Sequence, residues 1–236
     1  MTLLTVKELT LAAHIEASPM FRHMPPDAQE RLVAMASMRQ LPDRARLHAK
    51  GDAPEGVYAV HKGIVRASAS TADGREGLLA LMEPGCWFGE SSMLGNTPRT
   101  YDADAQGDSE VVLIPRAGLQ GLLDARPELY QHIVPFLCQR IRLSMQLLES
   151  HALLPFEGQL ARRLLILSRN AIQGDENQAR VTLSLSQESL GRMLGSSRQS
   201  INKTLKMWEA NGLIRQTYGS ITLCDLALLE SLASPG

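Results

Sequence analysis

Hydrophobic residues recur along this chain with two periods, and the switches between them divide it into segments. Residues 9 to 37 carry helical spacing, and Pro25-Pro26 open the second part of that stretch, where a proline at the first helical position costs no hydrogen bond. From about Arg39 to Ile114 the pattern becomes short segments punctuated by Gly, Asp and Pro. Among them are Gly56–Val60, Gly63–Ser68 and Val111–Ile114, with Asp73-Gly74 as a hairpin turn. Strands this short and this closely spaced predict a sandwich or barrel. Helical spacing returns from Pro127 to about Leu154, where Pro135 is expected to start a new helix or kink this one. Leu137, Ile141, Ser144, Leu148 and His151 follow a 4-3-4-3 spacing, the seam of a short parallel coiled coil. That predicts a homodimer; a helix packed on its own domain is the alternative.

Residues 186 to 212 read as two short helices broken at Gly195, the pattern of a DNA-binding helix-turn-helix. Ser186 caps the first helix, Gly195 supplies the positive-φ turn, and Ser196 with Gln199 fits a capping box for the second. Leu190, Met193 and Leu194 face inward from the first helix, and Ile201, Leu205 and Trp208 from the second. Arg198, Gln199, Asn202, Lys203 and Lys206 are left mostly outward. Arg and Gln in the first turn of such a helix are the side chains that bond guanine and adenine edges bidentately. An ordinary helical hairpin with a solvated basic face fits this segment alone equally well. Residues 213 to 223 shift the balance, because Leu213–Tyr218, Gly219-Ser220 and Ile221–Leu223 form a hairpin signal with a two-residue turn. Helix-turn-helix plus hairpin is a winged helix, whose wing approaches the phosphate backbone.

Composition adds bounds. The chain has 236 residues, 44% hydrophobic and 21% charged, enough for one large globular domain or two modest ones. It holds no apolar run of the ~18 residues a membrane span needs, and its start lacks a signal-peptide pattern, so no membrane contact and a cytoplasmic location are expected. Cys86, Cys138 and Cys224 form no CxxC pair, so neither zinc nor an iron–sulfur cluster is indicated, and buried free thiols are expected. Net charge is only −1, yet residues 157–219 carry nine Lys/Arg against five acids while residues 1–156 carry 15 against 18. A basic module joined to an acidic one suits a DNA regulator with a separate sensor. No acid/base pair, nucleophile motif or metal-ligand spacing points to an enzyme.

Candidate ligand chemistry lies between the strands, in Phe88-Gly89-Glu90-Ser91-Ser92-Met93-Leu94-Gly95-Asn96-Thr97-Pro98-Arg99-Thr100. Amides after Gly89 at a short helix start suit an anionic phosphate, Glu90 a ribose hydroxyl, and Arg99 the phosphate charge. On that footing Arg99→Ala removes the counter-charge and leaves the fold intact. A surface turn with an Arg–Glu ion pair is the alternative.

This segment resembles the phosphate-binding cassette of cyclic-nucleotide-binding domains, and the whole arrangement resembles the CRP/FNR family of bacterial transcription regulators across essentially the full chain. The resemblance implies an α+β protein: an N-terminal β-roll (a cyclic-nucleotide-binding-like double-stranded β-helix), a long central dimerisation helix and a C-terminal winged helix-turn-helix. The corresponding segments are 1–126, 127–154 and 155–236. It implies a ligand site of Gly89, Glu90, Ser91, Arg99 and Thr100, with Ser144 and Met145 where the family's cyclic-AMP receptor carries paired hydroxyls. It assigns DNA contacts to Ser186, Gln187, Ser197, Arg198, Gln199, Ser200, Asn202, Lys203 and Lys206. The implied protein is a homodimeric transcription factor on a palindromic double-stranded operator, governed by a cyclic nucleotide, expected to be cyclic AMP, with RNA polymerase as partner and no metal. Met145, Tyr101 and Asp102 depart from the family pattern around the ligand. Gln199 replaces a cytosine-reading Glu, so the operator is expected to differ there. Regulation by another nucleotide such as cyclic di-GMP, or by none, is the alternative. A nucleotide-sensing interaction module without DNA binding is a further one, against which the intact Arg198-Gln199-Ser200 argues. No cysteine precedes Cys86 to build an N-terminal cluster, and lone histidines such as His48 and His61 are poor grounds for haem.

Overall fold

The computed structural model describes residues 5–71, 76–171, 181–183, 185–217 and 219–234. The chain divides into two compact units, the main boundary falling between Gln139 and Arg140, with residues 76–78 grouped with the second.

The first unit opens with α1 (Val6–Ala17) and α2 (Pro26–Met35). Thr5 and Glu8 form a reciprocal capping box that starts α1 earlier than apolar spacing alone predicted. Helix α2 starts at Pro26 as expected, but β1 (Ser37–Leu41) already begins at residue 37. There follow β2 (Arg46–His48), β3 (Gly56–Ser70), β4 (Glu76–Met82), β5 (Trp87–Phe88), α3 (Glu90–Leu94), β6 (Asp102–Pro115) and α4 (Arg116–Ala125). The sheet runs β1-β6-β3-β4, with β2 also on β6 and β5 on β3. The segments 56–60 and 63–68 expected as two strands are one strand. It pairs antiparallel with β6 from Gly56↔Pro115 to Ser68↔Asp102, with register shifts between Val60 and Ile64. Gly63 explains the irregularity. Its φ is +79°, and a Cβ there would meet Ser109 Oγ at 2.3 Å. The Asp73-Gly74 turn lies outside the described residues.

Alternate residues of β3 and β6 feed two separate cores, which is why both segments read as unbroken apolar runs. Val57, Ala59, Val112 and Ile114 pack with α1, α2, α4 and with Leu129, Ile133 and Phe136. Tyr58, Val60, Val111 and Leu113 join Leu41, Leu47, Val65 and Phe88 in the other cluster. His61 is bonded to His14 (Nδ1 to Nε2, 2.9 Å), tying β3 to α1.

A 3-10 turn (Pro127–Leu129) leads into α5 (Tyr130–Leu153), which contains Pro135, so that proline starts no new helix. The proline stands in the second turn, where its missing N–H forfeits one bond near the helix start. The proposed seam shifts as well. Leu137 packs on the first-unit core, whereas Val134, Ile141, Met145 and Leu148 form an exposed apolar stripe at the same spacing, joined by exposed Cys138. The three cysteines are free, but Cys138 is exposed and Cys86 and Cys224 are half-buried, so they are not the buried thiols expected.

The second unit contains α6 (Phe156–Ala171), β7 (Val181–Leu183), α7 (Gln187–Leu194), α8 (Arg198–Ala210), β8 (Ile214–Thr217), β9 (Ser220–Leu223) and α9 (Leu226–Leu232). Its sheet runs β7-β9-β8. Leu160, Leu164, Leu190, Ile201, Leu205, Trp208 and Leu223 are buried, so the apolar faces of α6, α7 and α8 close over this sheet. Thr217 pairs with Ser220, so Ser220, expected in the hairpin turn, already belongs to β9, and Gly219 has φ +73°.

Candidate functional sites

In the first unit, Gly89 ends β5 and begins α3 with φ +89°. A Cβ there would also sit 2.6 Å from Arg99 Nη1, so glycine is required by both backbone and neighbour. Arg99 is 3% exposed. Its Nη1 donates to the Gly89 carbonyl (3.0 Å) and its Nη2 to the Gly56 carbonyl (2.8 Å). Its guanidinium carbon stands 5.3 Å from the Tyr58 ring centroid. The fork expected to serve a phosphate is therefore engaged in clamping the cassette to the start of β3. Against the expectation that Arg99→Ala spares the fold, two buried carbonyls would each lose a charged donor, with Gly89 O keeping a bond from Met93 N (3.3 Å).

The main chain of Arg99 is pinned too, donating to Asp52 O and accepting from Gly51 N (2.8 Å each). Asp102 accepts from Lys50 N (2.8 Å) and lies 3.9 Å from Arg46, whose Nε bonds Asp104 at 2.8 Å. The acidic departure after the cassette thus has a framework role. Ser92, absent from the sequence-derived list, closes the cassette loop through Oγ to Pro98 O (3.2 Å) while its carbonyl accepts from Thr97 N (3.1 Å). Glu90 is buried, and Ser91 and Thr100 are exposed. Ser144 and Met145 belong to the second unit and are exposed on α5, where Ser144 Oγ bonds the Arg140 carbonyl (3.1 Å).

His48 is the residue that sequence reading passed over. It is buried against Tyr58 and Tyr101, with ring centroids 6.2 and 5.6 Å away. Burial first, and then the Arg99 charge, push its imidazole from 6.5 to about 4. The folded state prefers the neutral ring, so the stability it contributes is fully present above the unfolded-state value and is lost as pH falls through the folded one. At ~1.4 kcal/mol per unit the difference approaches roughly 3 kcal/mol. Urea unfolding across this window should therefore show stability falling faster with acid in the wild type than in His48→Leu. Parallel curves would mean that His48 is not held neutral by the fold.

In the second unit, Ser186 caps α7 by accepting from Ser189 N (3.0 Å). Gly195 has φ +60° as expected, and Ser196 N donates to Gly191 O (2.9 Å). A Cβ on Gly191 would stand 2.8 Å from Ser196 O, so this second glycine lets the turn close against α7. The cap of α8 is Ser197, accepting from Ser200 N (3.1 Å), not Ser196 with Gln199. One residue later in register, Arg198 and Gln199 fall in the first turn. They are exposed, as are Ser200, Lys203 and Lys206, whereas Asn202 is half-buried with Oδ1 lacking a partner.

Several of the basic residues counted by charge face inward. Arg162 bonds Glu149 (2.6 Å) and the Ala233 carbonyl (2.9 Å), joining α5, α6 and the chain after α9. Arg163 is buried, with Nε 3.4 Å from Met193 Sδ. Arg192 does not face inward but is exposed on α7, paired with Glu188 at 2.7 Å. The exposed cations concentrate on α8, with Arg215 on the wing. Gln187 is held by Gln216 Oε1 (3.0 Å), and Gln216 is held in turn by Glu209 through its main-chain N (2.7 Å) and Nε2 (3.1 Å). The wing is thereby tied to both helices of the motif. Among the described residues no cluster of three or more His, Cys, Asp or Glu is placed to hold a metal, and no helix is long and apolar enough to cross a membrane.

Residues 38–126 match the cyclic nucleotide-binding domain, and residues 158–232 match the Crp-like helix-turn-helix domain. The chain is 28% identical over 205 residues to a CRP-like cAMP-activated global transcriptional regulator of Mycobacterium tuberculosis, covering 87% of this chain and 92% of the relative. It is 30% identical over 177 residues to transcriptional regulator SdrP of Thermus thermophilus, covering 75% and 83%. The crystal structure of a CRP/FNR-family regulator from Thermus thermophilus superposes with a TM-score of 0.63 at 28% identity, covering 85% of this chain and 100% of that one. A nucleotide-domain match followed by a reader-domain match, with relatives aligned across both, means that this chain belongs to the CRP/FNR family of transcription regulators.

Proposed function

We propose that the protein works as a cytoplasmic homodimer that binds a palindromic operator through α8, under the control of cyclic AMP held in the β-roll, and that it acts with RNA polymerase. The functional segments would be 1–126 for sensing, 127–154 for pairing and 155–236 for DNA. One observation carries the reading: Arg198 and Gln199 stand exposed in the first turn of a helix whose opposite face is buried, in the same chain as a glycine-started cassette with a buried arginine. Cyclic AMP is favoured over other nucleotides because a relative aligned over 87% of this chain is cAMP-activated. The residues fit an anionic nucleotide: Arg99 keeps one N–H without a partner, and α3 begins with amides behind Gly89.

Titration calorimetry of the nucleotide-free protein with cyclic AMP, cyclic GMP and cyclic di-GMP tests the ligand. For DNA, Arg198→Ala and Lys206→Ala should behave differently. Arg198 reaches base edges, so its loss should cost ~1 to 3 kcal/mol and relax specificity at one symmetric base pair. Lys206, two turns on, meets phosphate, so its loss should weaken all sequences alike and reduce the salt slope by about one. Operator variants measured across a salt series separate these outcomes. A uniform loss for Arg198→Ala would mean that this helix docks differently.

A further inference from the structure

His14 of α1 and His61 of β3 meet ring to ring. Nε2 of His14 lies 2.9 Å from Nδ1 of His61, with ring centroids 5.2 Å apart and planes at 77°. Both residues are half-buried, so solvent protons reach them. A contact of this kind needs one N–H donor and one lone-pair acceptor. Two neutral rings supply them, and so do one imidazolium and one neutral ring. Two imidazolium rings do not, because each facing nitrogen then carries a hydrogen and two positive charges stand within hydrogen-bond distance.

We infer that His14 and His61 form an acid-released latch, which holds α1 on β3 while the pair carries at most one positive charge and lets it go when both rings are protonated. The surroundings leave the repulsion standing. Burial first, and then the His61 charge, hold the His14 imidazole below its usual 6.5, and no carboxylate among the described residues offsets them. Lys7, Glu8 and Glu16 on α1, Asp27, Glu30 and Arg31 on α2 and Lys62 on β3 are exposed, and Glu110 of β6 stands opposite Lys62. Glu83, ahead of β5, is half-buried, and burial alone raises its carboxyl, with no contribution from a histidine. The docked pair therefore refuses a second proton that two separated rings accept. Its contribution to docking is fully present above 6.5 and is lost as pH falls through the lower, folded value. What it holds is part of the core, since Leu11 and Ile15 of α1 pack in the cluster that contains Val57 and Ala59 of β3.

Amide hydrogen exchange of the full-length protein at roughly pH 7.5 and 5.5, corrected for the pH dependence of the chemical step, tests this by comparing α1 with β6. Expected is an opening equilibrium for α1 about tenfold larger at the lower pH, beyond any change in β6, because refusing one proton a unit below the free-ring value is a factor of about ten. The β6 reference separates this local release from the effect of buried His48 on the whole unit. His14→Gln and His61→Gln each keep a donor and an acceptor but lose one titrating ring, so each should abolish the extra opening of α1. Should either variant fail to fold, ring NMR of the wild type decides, since the pair should titrate in two separate steps with the second below 6.5. Two rings that titrate independently of each other would overturn the inference. So would an α1 that opens only in step with β6, or one whose acid opening persists in both variants.

Discussion

On the dimer proposed above, replacing Ile141 with glutamate will give monomers and lower operator affinity by roughly a hundredfold or more, since each subunit of such a dimer reads one half-site and the second contact would no longer be intramolecular. Ile141 is 59% exposed, between Met145 at 57% and Leu148 at 62%, so an isolated chain leaves three large apolar side chains in water on one helix face. In a parallel pair each of these residues meets its own copy, and a glutamate there sets two like charges together in a desolvated seam. An exposed site contributes little to the fold of the single chain, so stability per subunit should change by only about 0.5 kcal/mol. Sedimentation velocity measures the assembly and an operator titration the reading. Leu148→Glu should reproduce both effects, whereas Leu137→Glu should unfold the first unit, because Leu137 packs on its core. An intact dimer in Ile141→Glu would place the interface on another surface.

Arg99→Ala should cost both stability and ligand. Each buried charge-assisted bond contributes ~1.5 to 3 kcal/mol, and with two carbonyls losing a charged donor, although Gly89 O keeps a bond from Met93 N (3.3 Å), a loss of about 2 to 4 kcal/mol is expected, since such terms do not add fully. Nucleotide affinity should fall on the order of a hundredfold, from lost charge and from release of the Gly89 turn. Arg99→Lys should not rescue either property, because a single ammonium cannot bridge the Gly56 and Gly89 carbonyls as the planar fork does. Urea unfolding and calorimetry on the same preparations read both effects. Wild-type stability in Arg99→Ala would show that the clamp contributes nothing to folding.

Sequence alone was sufficient wherever the signal is local. Gly195 occupies the positive φ expected of it because only glycine does so at little cost, and a serine before a helix caps it whatever lies elsewhere. The inward set Leu190, Ile201, Leu205 and Trp208 follows from helical spacing, so the winged helix and its exposed arginine and glutamine were legible before any coordinates. Errors of a single residue, Ser196 for Ser197 as cap and Ser220 placed in the turn and not in β9, arose where adjacent residues compete for one local role.

The tertiary structure decided what depends on partners far along the chain. Arg99 bonds Gly56, 43 positions away, and no spacing rule shows that its fork is already engaged. Met145 replaces Ser144 on the apolar stripe, and Leu137 leaves it, because the β-roll core takes one side of α5 near its start. Charge counting included Arg162 and Arg163 in the basic segment without giving their direction, and burial and contacts to α5, α7 and the chain after α9 turn them inward. His48 looked like any lone histidine. Only folding brings it beside Tyr58, Tyr101 and Arg99, and a buried polar atom acquires meaning from what surrounds it, which a linear sequence does not contain.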